Sequence, residues 1–453
     1  MQSENINRSL IRIGLPILAG MCVSQVQQIT DQAFLGHASA EYLSAVGNAG
    51  FTIWTTISFL FALGTGTAIL VSQKIGEGAK EKAEEILGST FVFSSFFSVA
   101  IFLVWFFGNV TIFRLMGLSE PILSHAALYT RIYTFGIVFS GITSTANAVY
   151  NGTGFTRPLM ISSLLRAGIN IILDWILIFG NLGFPQLGIA GAAIASLTAD
   201  IIGGSYTVYA AFSRRLPVRL CLSAIKKANI KTYWQVIKIG VPASLEEFAW
   251  NIGNILLIRF LNMVDPLAAG IYTIVASITL VPALFFMAIG NAAMTISGRK
   301  TGEGRPADIK KTGRHALGIS WAIALVFFAF FVLIPDVFVR FFTQDQAILA
   351  QTGPLMLVCA FALFPRAANL IFGGGIRGMG DTKWMFMTQF CGTIFVLVLA
   401  RIMIFNLAFG ILGLFVAVFF DELLRGIING FHFHGHVRAK VRALAQTNAE
   451  KDM

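Results

Sequence analysis

Apolar stretches of bilayer-crossing length recur from one end of this chain to the other, each bounded by glycine, proline or charge; Ile86 to Phe107 is one of them. Backbone N–H and C=O groups find no water in hydrocarbon, so such stretches fold as helices that satisfy those groups internally. Composition agrees, because 56% of the 453 residues are hydrophobic and 12% are charged, about half the charge of a soluble domain. Twelve spans are expected, at 10–34, 44–73, 85–107, 122–150, 158–180, 187–213, 232–261, 267–298, 312–334, 347–376, 384–406 and 410–434. The first carries Gln25, Gln27, Gln28 and Asp31 and has no small-residue cleavage site, so it reads as a mature span rather than a signal peptide. Several spans exceed the ~20 residues needed to cross, and Pro16, Pro242, Pro282 and Pro365 inside them are candidate kinks.

A net charge of +11 would point to nucleic acid in a soluble protein, so the placement of the cations has to decide. With the N-terminus in the cytoplasm, 25 of the 33 Lys and Arg fall in inner loops, tails or the inner ends of spans, seven of them from Arg214 to Lys238. Only Arg114 and Arg340 fall in outer loops. The positive-inside rule then sets both termini in the cytoplasm, with the chain in a cell's inner membrane, and accounts for the basic charge without nucleic acid. Cys22, Cys221, Cys359 and Cys391 lack metal-binding spacing and read as small apolar residues.

Shifting the chain on itself by 226 residues aligns three separate segments. Gly14-Leu15-Pro16 meets Gly240-Val241-Pro242, Lys74 to Gly78 meets Lys300 to Gly304, and Gly152, Gly154 and Thr156 meet Gly378, Gly380 and Thr382. Near the end the offset falls to 222, where Gly188, Gly191 and Ala195 meet Gly410, Gly413 and Ala417. An even number of spans per half inserts both halves the same way up. The expected fold is therefore an all-α integral membrane protein of two parallel six-helix bundles, related by a pseudo-twofold axis along the membrane normal, with a cavity between them. The divisions are 1–213 and 232–436 for the bundles, 214–231 for a cytoplasmic linker and 437–453 for a cytoplasmic tail. Alternating access by rocking of the bundles is the mechanism this layout permits.

An acid in the hydrocarbon costs about 2.5 to 3.5 kcal/mol on insertion scales, so each one asks for a partner, a wet cavity or a function. Ser24, Gln28 and Asp31 form a polar stripe on the first span, and Asn170 and Asp174 share a face of the fifth. One reading is structural, with interhelical hydrogen bonds or Arg166 satisfying the carboxylates. The other is functional: two acids and an amide at similar depth offer oxygen ligands to Na⁺, or a carboxyl pair able to hold H⁺. The register partners of Asp31 and Asp174 are Leu257 and Ala400, so the constellation exists once. Asp200 reads either as support for it or as a structural partner, and Asp421 with Arg425 as an i, i+4 ion pair. Glu247, Asn251 and Asn254 stripe the seventh span and, with Gln28, are expected to face a substrate cavity suited to lipophilic cations, while Glu246 points elsewhere.

Gly14-Leu15-Pro16 leading to Asp31 through Gly36, Asn151 through Gly154, and Asn170 to Asp174 followed by Ile178-Phe179-Gly180 resemble the multidrug and toxic compound extrusion (MATE) transporters, as does the layout over nearly the whole chain. The resemblance implies export of small lipophilic, cationic drugs or toxins in exchange for Na⁺ or H⁺, with no other cofactor, and with Asp31, Asn170 and Asp174 matching the family's coupling residues. It also implies a sixth-helix hydroxyl at that site, either Ser196 or Thr198. One branch has a second-bundle cation site with an acid on the tenth helix; this chain has none there.

The alternative is a flippase for a lipid-linked glycan or polysaccharide precursor, but its cavity should carry several inward cations and only Arg166 and Arg366 qualify. An enzyme needs a convergent catalytic set that the six histidines do not form. Gly76-Glu77-Gly78 lacks the Gly-Lys-Ser/Thr ending of a phosphate loop, so ATP is not expected to drive the protein. His432, His434 and His436 alternate along the end of the last span and read as a solvated tail rather than a metal site.

Overall fold

A computed structural model of the chain describes residues 5–264 and 267–451. Among these residues it is helical throughout, with twelve helices of 20 residues or more. They are α1 (Ile6–Ala38), α2 (Ala40–Gly76), α3 (Lys80–Leu115), α4 (Ile122–Thr153), α5 (Arg157–Phe179), α6 (Ile189–Ala211), α8 (Ile230–Val264), α9 (Ala268–Gly302), α10 (Pro306–Leu333), α12 (Gln346–Gly378), α13 (Thr382–Arg401) and α14 (Gly410–Lys451). Two short helices, α7 (Leu222–Lys226) and α11 (Pro335–Arg340), lie between them. Ten of the long helices are apolar and long enough to cross a membrane by themselves. The other two, α8 and α14, carry Glu246, Glu247, Asn251 and Asn254 or Asp421, Glu422 and Arg425 in their apolar stretches. At 1.5 Å per residue the 37 residues of α2 extend about 55 Å, well beyond a ~30 Å hydrocarbon layer. Pro354 joins Pro365 inside α12, a second interior proline that the sequence reading did not single out.

The chain divides into two compact units, residues 16–244 and residues 1–15 with 245–453. In the first, α2 packs on α4 and α3, and α6 on α4 and α5. One apolar cluster there gathers Ala45, Ile53, Leu60, Ile101, Trp105, Phe113, Ile137 and Ile178, and another gathers Leu63, Val71, Leu87, Val149 and Tyr150. Segment 214–231 is not a free loop: Asn229 N–H donates to Ser89 Oγ at 3.0 Å, and Thr232, just beyond it, donates to Glu85 at 2.6 Å. In the second unit α9, α10, α12 and α14 enclose Phe286, Phe331, Met356, Leu363 and Leu414. Large side chains such as Phe96 and Phe107 stay exposed on the surface of α3, as lipid contact requires.

The duplication extends to packing. Gly64 lies so close to Ser144 that an added Cβ would fall 2.5 Å from its Oγ, and 226 residues on Gly290 faces Leu370, where a Cβ would lie 3.0 Å from the carbonyl oxygen. Gly152 and Gly378 repeat the relation against the carbonyls of Ala68 and Met294. Each half thus crosses its second and fourth long helices at the same two register positions, where a side chain would force the backbones apart. The turns repeat as well: Gly154 and Gly380 both have positive φ, at 75° and 92°, a conformation that favours glycine.

Candidate functional site

Four helices of the first unit converge on Asn170. Gln27 and Asp31 sit four residues apart on α1, Asn170 and Asp174 four apart on α5, Ser196 comes from α6 and Tyr129 from α4. Asn170 and Asp174 are 0% and 1% exposed, whereas Asp31 is half-buried. The Asn170 amide lies between the two carboxylates. In one orientation Gln27 Nε2 donates to its oxygen at 2.6 Å, and its nitrogen reaches Asp174 Oδ2 at 3.3 Å and Ser196 Oγ at 3.5 Å. Turned over, its nitrogen donates to the two Asp31 oxygens at 2.7 and 3.1 Å.

An amide has one donor end and one acceptor end, so it can donate to only one of the two acids. The other acid then faces an oxygen and requires a proton or a cation there. The Asp31 and Asp174 carboxyl groups are themselves within hydrogen-bonding reach, a contact that needs a shared proton or ion. Asp174 Oδ1 is buried without a hydrogen-bond partner. A buried carboxylate oxygen is costly to leave unmet, and a proton or a cation on it would relieve that cost.

The shell around this centre is polar and ordered. The Tyr129 ring stacks on Tyr133 with centroids 5.7 Å apart. Tyr133 donates to Asp200 Oδ2 at 3.2 Å, and Asp200 is ion-paired with Arg166. Arg166 therefore neutralises Asp200 and not Asp174, which removes the structural partner considered for Asp174.

The sequence-derived residues fare unequally. Asp31, Asn170, Asp174 and Ser196 come together, while Thr198 is half-buried on α6 without a hydrogen bond to them. On α1 it is Gln27 that contacts Asn170; Gln28 is exposed. Ser24 is also exposed and donates back to Gly20 O of its own helix. Tyr129 and Tyr133 were not anticipated, although two of the chain's 8 tyrosines four apart on one apolar helix were a visible signal.

Among the described residues the second half has no such centre. Leu257, Val396 and Ala400, the register partners of Asp31, Asn170 and Asp174, are all buried in the apolar core. By contrast Asp200 is matched by Glu422 at the offset of 222. Glu422 accepts from Asn369 at 2.8 Å and lies 3.7 Å from Arg425 and 3.8 Å from Arg366. Asp421 and Arg425 form the expected pair, at 2.6 Å, and Arg425 also donates to Gln389 at 2.6 Å. Glu246 is ion-paired with Arg377. Glu247 is exposed, and Asn251 and Asn254 are half-buried and donate to carbonyls of their own helix at 3.0 and 2.9 Å.

The MatE family profile matches residues 16–176 and again residues 242–402, two copies separated by the offset found in the sequence itself. The chain belongs to the MatE family. This MATE transporter is 27% identical over 443 residues to a probable multidrug resistance protein NorM of Thermotoga maritima, covering 94% of this chain and 92% of the relative. It is 26% identical to the uncharacterized transporter YisQ of Bacillus subtilis, covering 93% and 92%. Its fold matches a crystal structure of MATE in the straight conformation with a TM-score of 0.90 at 21% identity, covering 97% of this chain and 98% of that one.

Proposed function

We propose that this MATE transporter is a secondary antiporter of the inner membrane that exports lipophilic cationic compounds in exchange for H⁺ or Na⁺, coupled at Asp31, Asn170 and Asp174. The observation that carries the reading is the buried Asn170 amide between two carboxylates, one of which it must leave facing oxygen. A binding site for a small cation that exists once per chain suits a one-way coupling step, since binding of ion and substrate can then be linked through one conformational change. The multidrug names of relatives support the substrate class. Glu247, Asn251, Asn254 and Gln28 contribute polarity toward the substrate, and Asp200, held by Arg166 and Tyr133, braces the coupling centre rather than binding the ion.

The test is export of ethidium or a phosphonium from proteoliposomes with Na⁺ and pH gradients imposed separately. One gradient alone should drive export and the other should not. Export indifferent to both gradients would overturn coupling, and selective movement of a lipid pyrophosphate would overturn the substrate class.

A further inference from the structure

The three histidines near the chain's end do not behave as a solvated tail. Helix α14 runs without a break from Gly410 to Lys451, so His432 and His436, four apart, share one face. His434 points away, and its ring meets Phe372 and Phe433. Asp381, at the turn before α13, completes a group of three whose ligand atoms all lie within 4.8 Å of one another.

We propose that Asp381, His432 and His436 bind a divalent transition-metal ion of the zinc type. Two imidazoles at i and i+4 on one helix face are a recurring zinc-ligand spacing, and a carboxylate from a second element is the usual third ligand. Tetrahedral zinc with bonds of about 2.0 to 2.1 Å places its ligand atoms roughly 3.3 Å apart, within reach by rotation of these side chains. Two of the ligand atoms, Asp381 Oδ2 and His432 Nε2, already stand 2.8 Å apart.

Both are held from behind. Asp381 Oδ1 accepts the Trp384 N–H at 3.2 Å, which leaves Oδ2 for the ion, and the His432 ring stacks on Trp384 with centroids 3.8 Å apart and planes within 6°. Outer contacts of this kind fix ligand orientation in metal sites. All three residues are half-buried, so a fourth position remains for water. Imidazole and carboxylate together favour Zn²⁺, Co²⁺ or Ni²⁺ over Mg²⁺. Bound there, the ion would tie the first turn of α13 to α14. The site is independent of the coupling centre and of the transport reading.

The experiment is titration of full-length, tag-free transporter in detergent with ZnCl₂ by calorimetry, with the visible absorption of Co²⁺ as a report on geometry. One ion per chain, a tetrahedral Co²⁺ spectrum and a zinc-dependent rise in Tm are expected. Affinity should fall about tenfold or more in His436→Ala, in its conservative companion His436→Asn and in Asp381→Asn, which keeps the helix cap, and should be unchanged in His434→Ala. An ordinary Asp381–His432 ion pair would lower Tm on mutation with no zinc dependence in the wild type. That result, or undiminished zinc binding by both His436 variants, would overturn the proposal.

Discussion

At the scale of single residues, the coupling proposal turns on two carboxyl groups and one amide. Asp31→Asn keeps the shape of the side chain and removes its charge, so the protein should insert and bind substrate while gradient-driven export falls to the level of empty vesicles. Asp174→Asn should do the same. The double variant should be little worse than either single one, because residues of one site are not additive. Normal gradient-driven export by correctly inserted Asp31→Asn would remove Asp31 from coupling. Ser196→Ala deletes a hydroxyl 3.5 Å from Asn170, and one lost hydrogen bond of about 1 kcal/mol should weaken the coupling ion's affinity roughly fivefold. Thr198→Val should leave it unchanged, as should Gln28→Leu, whereas Gln27→Leu should resemble Ser196→Ala. Export measured against coupling-ion concentration separates these four variants.

At the scale of helices, the close crossing of α9 and α12 depends on missing side chains. A Cβ at Gly374 on α12 would lie 2.3 Å from the carbonyl oxygen of Gly290 on α9, while one at Gly353 on the same helix meets nothing within 4 Å. Gly374→Ala should therefore force the helices apart and cost about 1 to 3 kcal/mol, and Gly353→Ala should be neutral or slightly stabilising. Thermal unfolding of the two variants in one detergent makes the comparison, and equal Tm values would show that the α9–α12 crossing can relax. The control shares the same helix, so intrinsic helix propensity cancels.

At the scale of the whole molecule, the even span count and the clustering of cations predict that loops around Lys80, Lys227 and Lys310 face the cytoplasm, while Ser119 and Asp345 face outward. In a cysteine-free background, an impermeant reagent applied to intact cells should label a cysteine placed at 119 and spare one at 227; the reverse pattern would invert the topology. A charge on the substrate path also has a reach beyond its own helix. Glu247→Gln should weaken apparent affinity for a lipophilic monocation several-fold, consistent with loss of one partly screened charge, and leave a neutral compound unaffected. Unaltered cation affinity would take Glu247 out of the path.

Helix number, class and duplication were legible in the sequence because they rest on chain-local physics. Hydrocarbon demands long self-bonded helices, and glycine at positive φ or at a close approach leaves a mark at a fixed position, so Gly154 and Gly380 could be paired without coordinates. Asp31, Asn170 and Asp174 stood out because an acid or amide in an apolar span has few inexpensive explanations. Only the tertiary structure decided which groups those residues meet. Gln27 and Gln28 both lie within a turn of Asp31, and the rotation of α1 about its own axis, set by packing, turns the first toward Asn170 and leaves the second exposed. Arg166 shares a helix face with Asp174 two turns on, yet its partner is Asp200 on the next long helix. His432 and His436 gain Asp381 from 51 residues away for the same reason: side-chain partners across helices depend on how the helices pack, which no local pattern records.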